Sequence, residues 1–315
     1  MPPPIIPQEN IENALSNIVP RIQQHFKSQI NALQNTPFVL GLTGLQGSGK
    51  STWTDALVQS LNEIHGYKTV NISLDDLYHD HDELVRIRTE NPSNKLLQTR
   101  GQPGTHDTKL SVAFFADVAD MKTDTLIPSF DKSLFNGEGG RASKERWHRI
   151  PAGTTIDVIV FEGWCVGFSP LDEVDVQRRW GETTQKGDSV KYSTETLKDH
   201  SVENLLWVNG NLRQYYDLFM GPRHFDYLVH LDTDDLVNVY EWRIQQEHAL
   251  LARTNSGMTD EEVVRFVKGY MSAYELYLDQ LRKGFFQLDQ SCIDKGQLRV
   301  VLDKERKVTE MLTFP

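Results

Sequence analysis

A glycine-rich segment after the first apolar run constrains this chain more than any other feature. Residues 44–51 read GLQGSGKS, which fits the pattern G-x-x-x-x-G-K-[ST], and the apolar run 38–43 precedes them. The glycines of such a loop let backbone N–H groups turn onto phosphate oxygens, while its lysine reaches the β and γ phosphates and its hydroxyl can hold Mg²⁺. The pattern predicts a nucleotide-binding loop, and the alternative is a glycine-rich turn without a ligand. The predicted nucleotide contacts are Gly44, Leu45, Gln46, Gly47, Ser48, Gly49, Lys50, Ser51 and Thr52.

The segments around this loop predict an α/β fold. Residues 38–43 are expected to form a strand, residues 52–61 a helix with apolar residues four apart, and residues 69–74 a second strand. A strand, helix and strand in this order build a parallel sheet, and ligands bind at the carboxyl ends of its strands. Asp75 and Asp76 follow the second strand directly, so we expect both of them near the phosphates.

Three later apolar runs predict further strands. The clearest is residues 157–164, and Glu162 lies close to its carboxyl end. In proteins with this type of loop, an acidic residue at such a position holds Mg²⁺ or its waters. Glu162 and Ser51 are therefore the predicted metal ligands, and the alternative for Glu162 is a carboxylate at an exposed strand end. Residues 227–231 and 298–302 are predicted strands as well, the second of them the last in the chain.

A loop before the middle of the chain combines turn-forming and basic residues. Residues 100–107 read RGQPGTHD, in which glycine and proline favour turns and Thr105 or Asp107 can cap a helix. Positive charge beside a helix N-terminus suits an anion, although a capped turn without a ligand explains the same pattern. The basic residues of the loop and of the first turn of the helix are Arg100, His106 and Lys109.

A second glycine-containing segment adds more positive charge. A short strand predicted at 126–130 leads into residues 131–141, where Lys132 and Arg141 stand with three glycines. These local cations contrast with the chain as a whole, which has 33 basic and 44 acidic residues and a net charge of −11. Such a balance disfavours nucleic acid or an anionic membrane as a partner. We expect the cations to serve a small ligand.

Periodicity predicts helices in the rest of the chain. Residues 9–34 read as an amphipathic helix with a break or kink at its proline, and packing explains this helix better than membrane attachment. Residues 236–253 and residues 259–281 are also predicted helices, the last opened by a capping box. Residues 79–109 are expected to be mostly irregular.

The expected organisation is a helical extension over residues 1–36 and one domain over residues 37–315, with a polar surface insertion at about 170–205. Cys165 and Cys292 are far apart and suggest neither a zinc site nor a disulfide framework. The sequence shows no leader and no apolar run that could cross a bilayer. We expect a cytosolic protein, with the nucleus as the alternative.

Several motifs follow one another along the chain: GLQGSGKS, SLDDLY, RGQPGTHD, PSFDKSLFNGEGGR, VFEGW, WRIQQEH and GMTDEEVVRFVKGYMSAYELYL. Taken in order, these motifs resemble D-glycerate 3-kinase and its fungal ATP-dependent kinase relatives, within the group of phosphoribulokinase, uridine kinase and pantothenate kinase. The resemblance implies a P-loop NTPase fold with three layers, α/β/α, and a mainly parallel sheet. It also implies ATP with Mg²⁺ and a small alcohol as phosphoryl acceptor.

The resemblance also implies roles for single residues. Asp75 corresponds to the aspartate that takes the proton from the acceptor hydroxyl, Glu162 to the acidic strand end and Arg243 to the lid arginine. With Lys50, Asp75 and Arg243 are the predicted catalytic residues. Two positions depart from the family pattern, since Phe130 replaces a tyrosine and Gly140 an aspartate. The predicted acceptor-binding residues are Asp76, Tyr78, Arg100, His106, Asp107, Lys132 and Arg141.

Together these features predict a small-molecule kinase. Basic side chains beside the nucleotide suit an acceptor that carries a carboxylate or phosphate, such as D-glycerate. The alternatives are a kinase for another small alcohol, pantothenate-like or nucleoside, and an ATP-regulated binding protein. A GTPase is disfavoured because the chain lacks an Asn-Lys-x-Asp motif.

Overall fold

A sheet of six strands forms the centre of the protein in the computed structural model, which describes residues 6–32, 36–120, 122–184, 191–255, 257–292 and 294–314. Over the described residues, the strands of this sheet and of two smaller sheets are β1 Phe38–Gly44, β2 Thr69–Ser73, β3 Thr125–Ile127, β4 Phe130–Asp131, β5 Gly140–Arg141, β6 His148–Ile150, β7 Val158–Gly163, β8 Tyr227–Asp232, β9 Gly296–Leu302 and β10 Val308–Phe314. The helices are α1 Gln8–Ala32, α2 Lys50–Glu63, α3 His81–Glu90, α4 Thr108–Asp120, α5 Glu173–Glu182, α6 Val202–Tyr215, α7 Val237–Thr254 and α8 Asp260–Arg282.

The strand order in this sheet is β10-β9-β8-β1-β7-β2. All neighbours pair in parallel except β9 and β10, which are antiparallel. Every residue of β7 and β8 is buried, so elements cover both faces of the sheet, as continuous apolar strands require. The predicted α/β fold with a mainly parallel sheet is confirmed.

The carboxyl ends of the parallel strands lie at one edge, and this edge positions the site. Register pairs Thr43 of β1 with Gly163 of β7, and Ser73 of β2 with Glu162. A 3-10 turn, Leu74–Leu77, follows β2 at once, and the Ser73 side chain caps it by accepting from the Asp75 backbone N–H at 3.2 Å. The turn holds Asp75 at the edge where the glycine-rich loop also ends.

Several elements differ from the sequence predictions. Helix α3 lies in the stretch expected to be irregular, α5 lies within the predicted polar insertion, and β10 follows the strand predicted to be the last. The short strand predicted at 126–130 is divided between β3 and β4, which belong to two separate two-stranded sheets. The prediction that residues 79–109 are mostly irregular was therefore wrong, and so was the prediction that the strand at 298–302 is the last in the chain.

Helix α3 shows why periodicity missed it. Its only buried residue is Ile87, so no apolar stripe marks it. Asp80 caps its first turn, and Arg86 pairs with Glu83 and Glu90 on its exposed face. Local capping and ion pairs thus support a helix that hydrophobic patterning cannot indicate.

Helix α1 packs into the common core. Ile11, Leu15, Ile18 and Ile22 are buried, and the helix continues past its proline without a break. Ile30, which lies at the same helical spacing within the predicted helix 9–34, is 75% exposed, and residues 33–34 of that prediction lie outside the described residues. The boundary between extension and domain remains a prediction.

Glu275 on α8 makes stability depend on pH. Its Oε1 accepts from the Thr196 backbone N–H at 2.5 Å and from the Thr196 hydroxyl at 2.8 Å. Burial raises its pKa to about 7, although the Thr196 hydrogen bonds act in the opposite direction. Because the pKa of Glu275 is raised in the folded state, the protonated side chain contributes to the free energy of unfolding. This contribution is fully present below the unfolded pKa near 4.5 and is lost as pH rises towards 7.

We predict that Glu275→Gln removes this loss while keeping an acceptor oxygen for Thr196. Urea unfolding of wild type and variant at pH 5 and pH 8 measures the effect. The free energy of unfolding of the variant, relative to wild type, is expected to rise by on the order of 2 kcal/mol between the two pH values. Parallel pH profiles for the two proteins would show that Glu275 does not titrate in this range.

Candidate active site

The glycine-rich loop between β1 and α2 has the geometry of a phosphate cradle. Gly47 and Gly49 adopt φ angles of 81° and 92°, in the left-handed region that glycine tolerates. A Cβ at Gly47 would lie 2.7 Å from the Cβ of Trp242, so α7 leaves room for glycine alone. The Ser48 Oγ is buried and has no hydrogen-bond partner among the described residues. This orphan hydroxyl fits a ligand that supplies oxygen atoms to the loop.

Two residues that sequence reasoning did not assign to the site hold the loop from outside. The Tyr274 hydroxyl accepts from the Gln46 backbone N–H at 3.0 Å. Arg306, in the turn between β9 and β10, donates to the Gly47 carbonyl at 2.6 Å and to the Trp242 carbonyl at 2.8 Å. Tyr274 lies in the helix predicted at 259–281, to which no site role was assigned, and the turn of Arg306 could not be found without β10.

Lys50 begins α2 and points back over the loop. Its Nζ donates to the Leu45 carbonyl at 3.2 Å. Burial lowers the pKa of Lys50, and the charges of Glu162 and Asp75 oppose this shift. The structure therefore brings the predicted phosphate-binding lysine and both predicted carboxylates into one electrostatic cluster.

Asp75 lies at the centre of this cluster. Its Oδ2 is 2.5 Å from the Lys132 Nζ, and its Oδ1 accepts from the Tyr78 hydroxyl at 3.0 Å. Burial acts to raise the pKa of Asp75, but the charge and hydrogen bond of Lys132 outweigh it and lower the pKa overall. Asp75 is thus ionised at neutral pH and able to accept a proton.

Glu162 and Ser51 present oxygen atoms beside Lys50. Glu162 is 9% exposed, and burial raises its pKa although the Lys50 charge opposes the shift. Carboxylate and hydroxyl oxygens are the donors that Mg²⁺ prefers, so the residues fit this ion. Among the described residues no group of three or more His, Cys, Asp or Glu side chains could hold a metal by itself. Phosphates and water would have to complete the coordination.

The predicted acceptor residues Arg100, Arg141 and Asp107 are bound within the protein. Arg100 donates to the Gly137 and Glu138 carbonyls at 2.9 and 2.5 Å, which ties the two glycine-containing segments together. Arg141 forms an ion pair with Asp107 at 2.9 Å. Asp107 also caps α4 by accepting from a backbone N–H. These side chains organise the loops, and Lys132 is the cation in direct contact with Asp75.

His106 does not supply the positive charge that the sequence argument assigned to it. The side chain is 1% exposed, stacks on Tyr78 with 4.3 Å between ring centroids and lies 3.0 Å from the Tyr215 hydroxyl. Burial lowers its pKa to about 3, so the imidazole is neutral at physiological pH. Tyr215 also accepts from the Gly104 and His106 backbone N–H groups. This tyrosine supports the loop, and no motif had pointed to it.

Asp76 and Arg243 are turned towards other partners. Asp76 accepts from the Phe130 backbone N–H at 3.1 Å, and burial raises its pKa. The Arg243 guanidinium pairs with Glu247 at 2.7 Å and lies 5.2 Å from the centroid of the Phe266 ring. The Arg243 backbone nitrogen would nevertheless stand 3.1 Å from a Cβ at Gly47, so this part of α7 borders the loop.

The two departures from the family pattern have structural counterparts. Phe130 packs edge-on against Tyr78, with 5.2 Å between ring centroids. A Cβ at Gly140 would meet the Phe135 ring at 2.7 Å, and the Asp80 Oδ1 would lie 3.4 Å from it. Asp80 therefore provides a carboxylate close to where the family has an aspartate.

The helices of the described residues include none long and apolar enough to cross a membrane.

No family model matches the chain. Similar proteins were found by direct comparison. The chain is 38% identical over 295 residues to the uncharacterised kinase mug58 of Schizosaccharomyces pombe, a match that covers 93% of this chain and 98% of the relative.

One further relative and one solved structure that match this chain are also named as kinases. The probable ATP-dependent kinase TDA10 of Saccharomyces cerevisiae is 33% identical over 279 residues, which cover 86% of this chain and 87% of that protein. The solved structure of D-glycerate 3-kinase from Cryptococcus neoformans superposes with a TM-score of 0.81 at 31% identity, over 96% of this chain and 99% of that one. All three proteins are named as kinases, each match covers most of both chains, and the solved structure has the same fold as this chain.

Proposed function

The chain belongs to the D-glycerate 3-kinase-like family of P-loop kinases, and we propose that it transfers the γ-phosphoryl group of ATP to a hydroxyl of a short anionic hydroxy acid, with D-glycerate as the leading candidate. That it is a small-molecule kinase follows from the family. One observation carries the choice of acceptor. Lys132 lies 2.5 Å from Asp75, so a cation stands at the carboxylate that would receive the acceptor hydroxyl.

Phosphoryl transfer requires that the terminal phosphate be held, its charge neutralised and the acceptor oxygen placed in line. Lys50 and the backbone of the glycine-rich loop would bind the phosphates. Asp75 would orient the acceptor hydroxyl and take its proton, and its lowered pKa keeps it ionised for this role. Ser51 and Glu162 would hold Mg²⁺, which supplies positive charge to the phosphate oxygens when bound.

The contact between Lys132 and Asp75 indicates how an anionic acceptor gains access to the base. While the pair is closed, the Asp75 Oδ2 is occupied by an ammonium and the Oδ1 by the Tyr78 hydroxyl. A carboxylate on the acceptor offers Lys132 a second anion, so the lysine can turn from Asp75 to the ligand without losing an ionic partner. A neutral alcohol offers no such exchange. The acceptor charge and the release of the base are then linked.

We predict that Lys132→Met lowers kcat/KM for D-glycerate by roughly 10- to 100-fold while the KM for ATP changes little. Lys144→Met is the matched control. Lys144 is exposed, and its substitution removes the same charge at a site away from Asp75. Steady-state kinetics with each substrate varied in turn measure the effect. Equal losses in the two variants would mean that Lys132 acts only through the overall charge.

The proposal is tested by ADP formation from ATP with a panel of small acceptors. The panel contains short hydroxy acids, pantothenate, neutral sugars and nucleosides. We expect turnover with short hydroxy acids and little with neutral compounds. Ready turnover of neutral sugars or nucleosides, with no activity on any anionic alcohol, would overturn the proposal.

A further inference from the structure

A concave surface lies beside the loop of residues 100–107. It contains none of the residues assigned to the nucleotide. It is a cavity of about 1090 Å³ between residues 95–102, residues 198–200 and residues 258–270. We call it the α8 groove, because the first turns of α8 form one wall. Its volume is at the upper end of the range for small-molecule sites.

The α8 groove is basic in an acidic protein. Five lysine and arginine side chains line it against two carboxylates, Asp199 and Glu262, while the whole chain has a net charge of −11. Glu262 is already engaged, since its Oε2 accepts from the Thr259 backbone N–H in the capping box. A concave surface with one sign of charge concentrates ions of the other sign. The lining cations are Lys95, Arg100, Lys198, Arg265 and Lys268.

Most of these cations have no ionic partner inside the protein. In the part of the chain that the structure describes, no carboxylate lies within ion-pair distance of Lys95, Lys198, Arg265 or Lys268. Elsewhere on the surface most arginines are paired, as Arg86 is with Glu83 and Glu90. The Lys198 Nζ lies over the Trp180 ring, 3.4 Å from its centroid. The groove therefore keeps Lys95, Arg265 and Lys268 available to a ligand.

A buried polar atom in the same groove also lacks a partner. Gln102 is 4% exposed, and its Nε2 donates to the Gly269 carbonyl at 2.7 Å, which fixes the orientation of the amide. Its Oε1 has no hydrogen-bond partner among the described residues. Because a buried acceptor without a donor costs free energy, this oxygen suits a ligand hydroxyl.

The groove adjoins the loop of Arg100, but the residues that line it do not include the predicted catalytic residues Lys50, Asp75 and Arg243. It adjoins another cavity, of about 430 Å³, that is lined by Gly137 and Glu138 of the second glycine-containing segment and shares Gln98, Thr99, Arg100 and Met258 with the groove. The described residues that line the groove do not include Asp75, Lys132 or the glycine-rich loop. A three-carbon hydroxy acid would fill only a small part of the larger volume. The groove thus suits a ligand other than the acceptor and ATP.

We propose that the α8 groove is a second ligand site and that it binds a phosphorylated polyol. The phosphate would pair with Arg265 and Lys268, which lie three residues apart on α8, and a free hydroxyl would donate to the Gln102 Oε1. The site goes beyond the proposed kinase reaction, because none of its residues except Arg100 has been assigned to the acceptor.

Calorimetric titration of the full chain tests this proposal with glycerol 3-phosphate and glucose 6-phosphate, each beside its unphosphorylated parent. We expect at least one of the two phosphorylated compounds to bind although its unphosphorylated parent does not. The double variant Arg265→Met/Lys268→Met should weaken that binding at least about tenfold. Lys283→Met, at the far end of α8, is the matched control and should leave it unchanged.

A further variant separates the groove from the acceptor site. Lys132→Met should leave the binding of the phosphorylated polyol intact, because Lys132 does not line the groove. The proposal is overturned if neither phosphate binds more tightly than its parent, if the double variant binds as wild type does, or if Lys132→Met alone abolishes binding.

Discussion

Lys50→Ala is expected to reduce kcat by roughly 10²- to 10³-fold or more and to weaken ATP binding. Lys50 is the cation that begins α2 at the end of the glycine-rich loop, and burial beside Glu162 and Asp75 fixes its position. Its removal leaves the β and γ phosphates without the main side-chain charge. Calorimetric ATP titration and ADP formation with D-glycerate measure the two effects.

The matched control for this change is Lys68→Ala. Lys68 is exposed and precedes β2, at the amino-terminal edge of the parallel strands and opposite the loop, so the variant removes the same charge without touching the phosphates. Both variants should give the circular dichroism spectrum of the wild type. Unchanged turnover in correctly folded Lys50→Ala protein would contradict the assignment of the loop.

Asp75→Asn is expected to lower kcat by roughly 10² or more while ATP affinity stays near that of wild type. The substitution keeps the size of the side chain and removes its proton-accepting charge. It also removes the anion that pairs with Lys132, so the effect belongs to the acceptor half of the site. Steady-state kinetics and ATP titration distinguish a loss of chemistry from a loss of binding.

Asp76→Asn provides the neighbouring control. Asp76 accepts from the Phe130 backbone N–H and does not contact Lys132 through an ion pair among the described residues. We expect a much smaller effect on kcat than for Asp75→Asn. If Asp76→Asn were the crippling change instead, the proton acceptor would be the second aspartate of the pair and the assignment would be displaced by one residue.

The sheet could be predicted because its physics is local and repetitive. Residues 38–43 and 157–164 are apolar runs, and they correspond to β1 and β7 at the centre of the sheet. Strands buried on both faces must be apolar throughout, so composition alone marks them. The glycine-rich loop was equally visible, since its backbone geometry demands glycine at 47 and 49.

Elements held by specific contacts could not be predicted in the same way. Helix α3 has one buried residue, and its caps and ion pairs leave no periodic signal. Strand β10 lies at the edge of the sheet, and its half-buried and exposed positions do not alternate regularly, which weakens its pattern. Missing β10 also hid Arg306, because the importance of that arginine depends on a turn that brings it to the loop.

Within the candidate site, the sequence predicted proximity better than charge. Asp75, Glu162 and Lys50 do lie together, as the order of strands implied. The protonation of His106 depends on complete burial, which a polar motif gives no reason to expect. Arg141 and Asp107 were both predicted as acceptor contacts, yet they pair with each other. Local partners of this kind are visible only once the loops have been folded.

The central claim is that a carboxylate on the acceptor is recognised beside Asp75. It is tested most directly by the ratio of kcat/KM for D-glycerate to kcat/KM for glycerol, which has the same carbon skeleton without the carboxylate. We predict a ratio of roughly 10² or more for the wild type, because the neutral alcohol leaves Lys132 on the base. Equal values for the two acceptors, or a higher value for glycerol, would contradict the account.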